Sequence, residues 1–254
     1  MGALVIVATP IGNLSDISAR ALEALRNADL IACEDTRQTL KLLNHYGIQK
    51  PLVSYHDFNE DRKAAELGEK IRAGNDIALV SDAGTPGISD PGYRLVRYCR
   101  EQRLHVISIP GPNAAITALA ASGLPSDEFL FEGFLPSKAG ARREKLESLR
   151  SVTPTMIFYE APHRIERMLN DLVEVLGDRE ACVGRELTKV HEEFLFGKLS
   201  EIIGNVKALG EFVIVISGNT ANEQLQNKGA LTREEALRIL GISRNELYDL
   251  FFKK

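Results

Sequence analysis

The stretch IALVSDAGTPGISDPG, residues 77–92, joins a short apolar run to a loop of glycine, proline and small polar residues. Three other segments have the same order: apolar runs at 4–8, 30–33 and 106–109 lead into the loops TPIGN, EDTR and PGPN. Segments of helical period separate these runs, which is the pattern of β-α-β units around a mainly parallel sheet. Because parallel strands end at one edge of their sheet, we expect the four loops to meet in one cleft.

The loop at 82–92 combines glycines and prolines with the carboxylates of Asp82 and Asp90. Glycines allow close approach of a ligand to the backbone, prolines restrict the loop, and carboxylates accept hydrogen bonds from ligand hydroxyl or amino groups. A long turn whose aspartates only cap helices explains the same residues equally well. Neither GxGxxG nor GxxxxGK[ST] occurs, so the usual support for a dinucleotide or P-loop phosphate site is missing.

The composition is that of a globular protein. The 254 residues are 44% hydrophobic, with 31 Lys+Arg against 35 Asp+Glu and a net charge of −4. This balance argues against a disordered, collagenous or coiled-coil chain, and it leans slightly against a nucleic-acid partner. We expect no membrane span, because no apolar run approaches about 20 residues, and no signal peptide, because the start lacks a basic region. Three widely spaced cysteines predict buried, reduced thiols in a cytosolic protein.

The chain changes character at Ser122-Gly123-Leu124-Pro125, where we expect a linker. A second α/β block follows, and its short connections near 185–196 predict a mixed sheet. We therefore expect an N-terminal parallel α/β domain at 1–122, a C-terminal mixed α/β domain at 123–218, and a linker with a helix-turn-helix-like tail at 219–254. Two capping-box patterns predict the two short helices of this tail. Their apolar residues favour packing on the body of the protein or on a second subunit over binding in a nucleic-acid groove.

Cationic side chains gather between Lys138 and Arg150, and again in the turn Ala161-Pro162-His163-Arg164. On the residues alone, a solvated helix face and a simple helix start explain them best. The five histidines have no metal-ligand spacing, so we predict no metal site, and no motif of nucleophilic catalysis is present.

Several ordered motifs together resemble the ribosomal RNA small subunit methyltransferase I family, within the tetrapyrrole methylase superfamily. They span roughly 4–217. The wider superfamily has a GxGxGD turn after the first strand, which is replaced here by ATPIGN, and this difference weakens the hypothesis of a small-molecule substrate. The motifs are VATPIGNLSDI at 7–17, CEDTR at 33–37, the loop 81–93, FEGFLP at 131–136, FYEAPHR at 158–164, ELTK at 186–189 and GEFV at 210–213.

The resemblance implies a two-domain α/β methyltransferase that binds S-adenosylmethionine in the cleft between its domains and works as a homodimer. It implies methylation of the ribose 2′-hydroxyl of a cytidine in the decoding region of small-subunit (16S) ribosomal RNA. It assigns to the cofactor Pro10, Asp82, Ala83, Gly84, Ile88, Asn113 and Ala114 from the first domain, and Phe134, Tyr159, Glu160, Ala161 and Leu187 from the second.

Deprotonation of the ribose hydroxyl suggests a carboxylate in the matched loops as general base, and the candidates are Asp35, Asp90 and Glu160. We select Asp35 and Glu160 and favour Asp35, because Arg37 follows it with a charge that can bind RNA. Simple pairing of Asp35 with Arg37 is at least as good an interpretation. A methyltransferase for a tetrapyrrole or other small molecule, and a non-enzymatic adenosylmethionine-binding protein, remain open as alternatives. The candidates for phosphate contacts are Arg20, Arg37, Lys138, Arg142, Arg143, Arg164, Arg185 and Lys189.

Overall fold

The computed structural model describes residues 2–56 and 59–219 of the chain. The helical tail expected at 219–254 lies, apart from Asn219, outside the described residues. None of the helices within the two described ranges is long and apolar enough to cross a membrane.

The first half forms a five-stranded parallel sheet, as the repeated β-α pattern predicts. Its strand order is β3-β2-β4-β1-β5. The short β3 was not predicted, because three half-buried residues display no period. The strands are β1 (Ala3–Val7), β2 (Leu30–Cys33), β3 (Leu52–Ser54), β4 (Ile77–Val80) and β5 (His105–Ile109).

Five helices connect these strands or follow them. A 3-10 turn precedes the first of them: Ser15 and Asp16 belong to this turn, which Asn13 caps, and Ser18 caps the helix by accepting from the Ala21 N–H. The helices are α1 (Ala19–Asn27), α2 (Thr36–His45), α3 (Glu60–Arg72), α4 (Tyr93–Glu101) and α5 (Ala114–Ala121).

The second half forms a mixed sheet in the order β6-β7-β10-β8-β9, as its short connections predict. Only β6 and β7 run parallel, and the other pairs are antiparallel. The strands are β6 (Phe129–Phe134), β7 (Thr155–Glu160), β8 (Glu180–Arg185), β9 (Glu193–Lys198) and β10 (Phe212–Ile216).

Three helices accompany this sheet: α6 (Ala139–Ser148), α7 (Ile165–Leu176) and α8 (Leu199–Ile203). The helix α8 ends before Gly204, and Leu209 beyond it is 70% exposed. A side chain that buries nothing gives little reason for the helix to continue.

The helix α5 joins the two halves. Its residues Ala115, Ala118 and Leu119 share a buried cluster with Ile157 and Val213 of the second sheet. It follows β5 of the first sheet in sequence and packs on the second sheet in space. The domain boundary near residue 122 stays a prediction.

Candidate functional site

A cavity of about 380 Å³ lies where the two halves meet. This volume is within the range of small-molecule sites. Loops after β1, β4 and β5 line it from the first half, and β6, β7, β10 and the β8–β9 connection line it from the second. The lining residues are Ile11, Ala83, Gly84, Thr85, Ile88, Ser89, Asp90, Asn113, Ala114, Phe134, Tyr159, Glu160, Ala161, Pro162, Leu187, Glu211, Phe212 and Val213.

Three of the four loops expected in one cleft line this cavity. The fourth, at 34–37, does not line it: the backbone N–H of Asp35 donates to Asp82 Oδ1 at 3.0 Å, and Thr36 already begins α2. The EDTR segment is connected to the β4 loop through Asp82, which precedes the lining residue Ala83.

Most of the residues that the resemblance assigns to the cofactor line the cavity. Pro10 and Asp82 do not, although each adjoins a lining residue. Those that do are Ala83, Gly84, Ile88, Asn113, Ala114, Phe134, Tyr159, Glu160, Ala161 and Leu187.

Other lining residues are not among those that the resemblance assigns to the cofactor. Thr85, Ser89 and Asp90 belong to the loop already singled out, where Asp90 was expected to accept hydrogen bonds from a ligand. Glu211, Phe212 and Val213 belong to the matched motif GEFV, which received no cofactor role, and the pairing of Phe212 with Glu160 brings them to the cavity. Ile11 and Pro162 were quoted in the matched motifs without a role.

The first-half loops are bonded to one another. Thr9 and Gly84 exchange backbone hydrogen bonds of 2.8 and 3.0 Å, and the Thr85 hydroxyl donates to the Pro112 carbonyl at 3.0 Å. Gly84 has φ +79°, a conformation that favours glycine. These bonds hold the β1, β4 and β5 loops as one surface.

Aromatic residues form the second-half wall. Tyr159 Oη accepts from the backbone N–H of Ala115 at 3.2 Å, which ties β7 to the first turn of α5. Phe131 and Phe134 meet the Tyr159 ring edge to face, with centroids 5.0 and 5.6 Å away. Burial raises the pKa of Tyr159, so its hydroxyl stays protonated. Phe134 is 56% exposed and lies at the rim of the cavity.

The carboxylates of Asp90, Glu160 and Glu211 give this cavity an acidic lining. The Glu160 side chain is fully buried, and its Oε1 accepts from the Ala161 N–H at 2.7 Å and from Arg164 Nε. Its Oε2 is buried and has no hydrogen-bond partner among the described residues. A buried carboxylate oxygen without a donor is costly. Because the Glu160 side chain has no exposed surface, a ligand in the cavity reaches this oxygen only if the side chain turns.

Asp35 adjoins this cavity without lining it. Its carboxylate caps α2 and accepts from Arg37 Nε at 3.1 Å and Nη2 at 2.8 Å. These hydrogen bonds from Arg37 lower the pKa of Asp35 to about 2. The pairing considered from the sequence is therefore present, and it makes Asp35 a weak proton acceptor.

The turn after β8 closes one end of the cavity. Leu187 points its buried side chain there, between Glu186 at φ +51° and Thr188 at φ +65°. Lys189 Nζ holds the turn by pairing with Glu186 and with Glu211. Gly12 allows this contact between the halves, because a Cβ atom there would lie 2.8 Å from the Leu187 carbonyl oxygen.

The cations predicted to contact RNA fall into three groups. Arg20, Arg37, Lys138 and Arg143 are exposed. Arg164, Arg185 and Lys189 are partly buried and paired with Glu160, Glu193 and Glu186, respectively. The prediction for Arg142 was wrong: its side chain is 5% exposed and bonds to Asp171 of α7, whose side chain is 6% exposed. A guanidinium that is buried and paired in this way holds α6 to α7 instead of facing solvent.

No group of three or more His, Cys, Asp or Glu within 2–56 and 59–219 is arranged to hold a metal ion.

Known proteins resemble this chain in sequence and in fold. A sequence model of the tetrapyrrole (corrin/porphyrin) methylases matches residues 3–203. The ribosomal RNA small subunit methyltransferase I of Escherichia coli O157:H7 is 48% identical, over 97% of this chain and 93% of that protein. Its namesakes from Vibrio cholerae and Bacillus subtilis are 50% and 43% identical, over 96% and 100% of this chain and 85% and 95% of theirs.

Among solved structures, a diphthine synthase matches with a TM-score of 0.66 at 14% identity, over 85% of this chain and 90% of that one. The Thermus thermophilus uroporphyrin-III C-methyltransferase, complexed with S-adenosyl homocysteine, matches with a TM-score of 0.59 at 18% identity, over 85% and 97%. At such identities these structures show a shared fold.

Proposed function

Because this chain belongs to the ribosomal RNA small subunit methyltransferase I family, we propose that it methylates the ribose 2′-hydroxyl of a cytidine in the decoding region of small-subunit (16S) ribosomal RNA, with S-adenosylmethionine as methyl donor. The observation that carries the proposal is the cavity between the two halves, lined by the motifs that the chain shares with this family.

The lining fits S-adenosylmethionine, which supplies an electrophilic methyl group on a positively charged sulfur. Its sulfonium and ammonium charges match the carboxylates of Asp90 and Glu211, which line the cavity. Gly84 lines the cavity without a side chain, so a ligand can approach its backbone closely. The residues that would hold the cofactor are those lining this cavity.

The protein's own contribution is first to align the reacting groups. The interlocked β1, β4 and β5 loops and the aromatic wall at Tyr159 are rigid surfaces that fix a bound molecule in one orientation. Alignment of this kind supplies a large part of the rate in displacement reactions, so a strong general base is not required.

The ribose proton needs an acceptor. Of the two carboxylates selected from the sequence, Glu160 lines the cavity and has an oxygen without a donor, whereas Asp35 is held ionised by Arg37 outside it. Glu160 therefore remains our candidate for the proton acceptor, and Asp35 is left with the role of orienting Arg37.

The RNA is held by the exposed cations. Phosphate contacts come first from the exposed side chains of Arg20, Arg37, Lys138 and Arg143. The partly buried Arg164, Arg185 and Lys189 add to the positive charge, which steers the RNA toward the cleft. The assembled small subunit is the substrate, the enzyme acts in the cytoplasm as a homodimer, and its domains are 1–122 and 123–218 with a tail at 219–254.

The test combines binding with product analysis. Calorimetric titration measures binding of S-adenosylmethionine. Incubation with methyl-labelled cofactor and small subunits from a strain that lacks this enzyme then puts label into ribosomal RNA, and nuclease digestion with mass spectrometry locates the methyl group on a cytidine ribose. Absence of label refutes the RNA substrate, and label on the base refutes the 2′-O reaction. Naked ribosomal RNA in a parallel reaction tests whether assembly is needed.

A small-molecule methyltransferase is the weaker alternative. The fold is shared with the uroporphyrin-III C-methyltransferase, but at 18% identity it does not specify a substrate. Label transfer to a free tetrapyrrole, without salt-sensitive binding to ribosomal particles, would favour it.

A further inference from the structure

The cavity loop 82–92 ends at a helix that cannot cap itself. Gly92 is the N-cap residue of α4, and its φ of +146° favours glycine. A Cβ atom there would lie 3.0 Å from the Gly87 nitrogen, inside the loop. Glycine has no side chain to accept the first free N–H groups of the helix, so other residues must do so.

Two buried side chains from the β3–α3 region take over this capping. Tyr55 Oη accepts from the N–H of Leu95, the third residue of α4, at 3.0 Å. Glu60 Oε1 accepts from the N–H of Gly92 itself at 2.8 Å. These two bonds are those of a capping box, with both acceptors supplied from outside the helix.

The two acceptors are also neighbours, and Tyr55 and Glu60 are only 1% and 7% exposed. Burial and the neighbouring Glu60 charge raise the pKa of Tyr55, so its hydroxyl stays protonated. Arg94 Nε lies 3.3 Å from Glu60 Oε2 and compensates the carboxylate charge. A negative charge at the start of α4 is further stabilised by the helix dipole.

This connection extends to the cavity through the end of the loop. Gly87 donates its N–H to the Pro91 carbonyl at 3.2 Å, so the segment that presents Ile88, Ser89 and Asp90 is a closed turn resting on Gly92. The other end of the loop is fixed by the Thr9–Gly84 bonds. Glu60 holds the end that those bonds do not reach.

From this geometry we infer that Glu60 is a positioning residue for the cofactor: it never touches the ligand, and it fixes the cavity loop in its binding conformation through Gly92. The inference rests on the proposed function, since it concerns binding of S-adenosylmethionine. Asp61 provides a matched control, because it pairs with the same Arg94, is 79% exposed and caps nothing in α4.

The experiment measures calorimetric Kd values for S-adenosylmethionine and amide hydrogen exchange without ligand at 84–95, well below each variant's melting temperature. We expect Glu60→Ala to raise the Kd about tenfold, the scale of one net hydrogen bond, and to speed exchange at these amides. Glu60→Gln keeps an acceptor for Gly92 and rescues part of the affinity, Tyr55→Phe has an intermediate effect, and Asp61→Asn matches the wild type.

A folded Glu60→Ala protein with wild-type Kd and exchange would overturn the inference, as would an equal loss in Asp61→Asn. If Glu60→Ala does not fold, wild-type values in both Glu60→Gln and Tyr55→Phe overturn it. A wild-type protein that binds no S-adenosylmethionine refutes the proposed function instead, while the exchange rates still test the anchoring by Glu60.

Discussion

At the scale of single residues, Asp35 illustrates how one neighbour limits what a carboxylate can do. Its hydrogen bonds from Arg37 lower its pKa to about 2, and a general base with so low a pKa is inefficient. Asp35→Asn tests this cleanly, because asparagine caps helices as well as aspartate does and only the charge is lost. A general base contributes about 10²–10⁴-fold to the rate, and we expect kcat to fall by much less. A loss within that range at unchanged KM would assign the base to Asp35.

The same variant has a signature in the pH dependence of stability. Because the folded-state pKa is lowered, the ionised form stabilises the fold above the ordinary Asp pKa of about 3.9, and this contribution is lost as the pH falls towards 2. Asp35→Asn therefore flattens the pH dependence of the free energy of unfolding between about pH 4 and pH 2. Urea denaturation across that interval measures the free energy of unfolding at each pH. The same pH dependence in the variant and the wild type would contradict the pairing of Asp35 with Arg37.

Gly12 is the second residue at which an atomic contact has a functional consequence. In Gly12→Ala the new methyl group would lie 2.8 Å from the Leu187 carbonyl oxygen and 2.5 Å from Lys189 Cγ, so the β1 loop and the turn after β8 must separate. We expect weaker binding of S-adenosylmethionine, measured by calorimetry, because Leu187 lines the cavity.

Gly140→Ala is the matched control for Gly12→Ala. No atom lies within 4 Å of its added Cβ, and alanine in α6 gains roughly 0.5–1 kcal/mol in stability over glycine. We expect unchanged cofactor affinity in this control. Equal affinities in Gly12→Ala and Gly140→Ala would show that the turn after β8 yields without cost.

At the scale of elements, strands were the easier part to predict. Four apolar runs, three of which end in loops with Gly and Pro, indicate the parallel sheet and most of its cavity residues, because such runs and loops have local causes. The position of α5 has no local cause: its sequence AAITALAA is almost entirely apolar, so no polar face indicates which sheet it covers. The contribution of β10 to the cavity depends on pairing between distant segments, which periodicity does not reveal.

The pairing of α6 with α7 explains why a basic helix is misleading when read as a charge pattern. Arg142 projects inward to Asp171, whereas Lys138 at the start of the helix is exposed.

We expect Arg142→Ala to lower the free energy of unfolding by about 3 kcal/mol, since it leaves a buried carboxylate with one partner fewer. Lys138→Ala should keep the wild-type stability and weaken binding to ribosomal particles in a salt-dependent way. Chemical denaturation and binding at two salt concentrations separate the effects, and unchanged stability in Arg142→Ala would refute the structural role.

At the scale of the whole molecule, the net charge of −4 is an average over regions with opposite preferences. Acidic side chains line the cavity, while Arg20, Arg37 and Lys138 are exposed on the surface. A cationic small molecule and a polyanion can therefore bind to the same protein without competing for the same charged side chains. The overall sign says little about either ligand, because each responds to the charge within about 10 Å of its own site.

The cavity is built from both halves, so ligand binding should stabilise them together. At a free S-adenosylmethionine concentration of 100 times the Kd, binding adds about 2.7 kcal/mol to the free energy of unfolding. For a chain of this size that is a rise in Tm of roughly 5–10 °C. We expect one calorimetric transition that moves as a unit, because residues from both sheets line the cavity and α5 packs across their junction. Lys138→Ala should show the full shift and Gly12→Ala a smaller one at the same ligand concentration. Two transitions of which only one responds to ligand would show that a single half binds the cofactor.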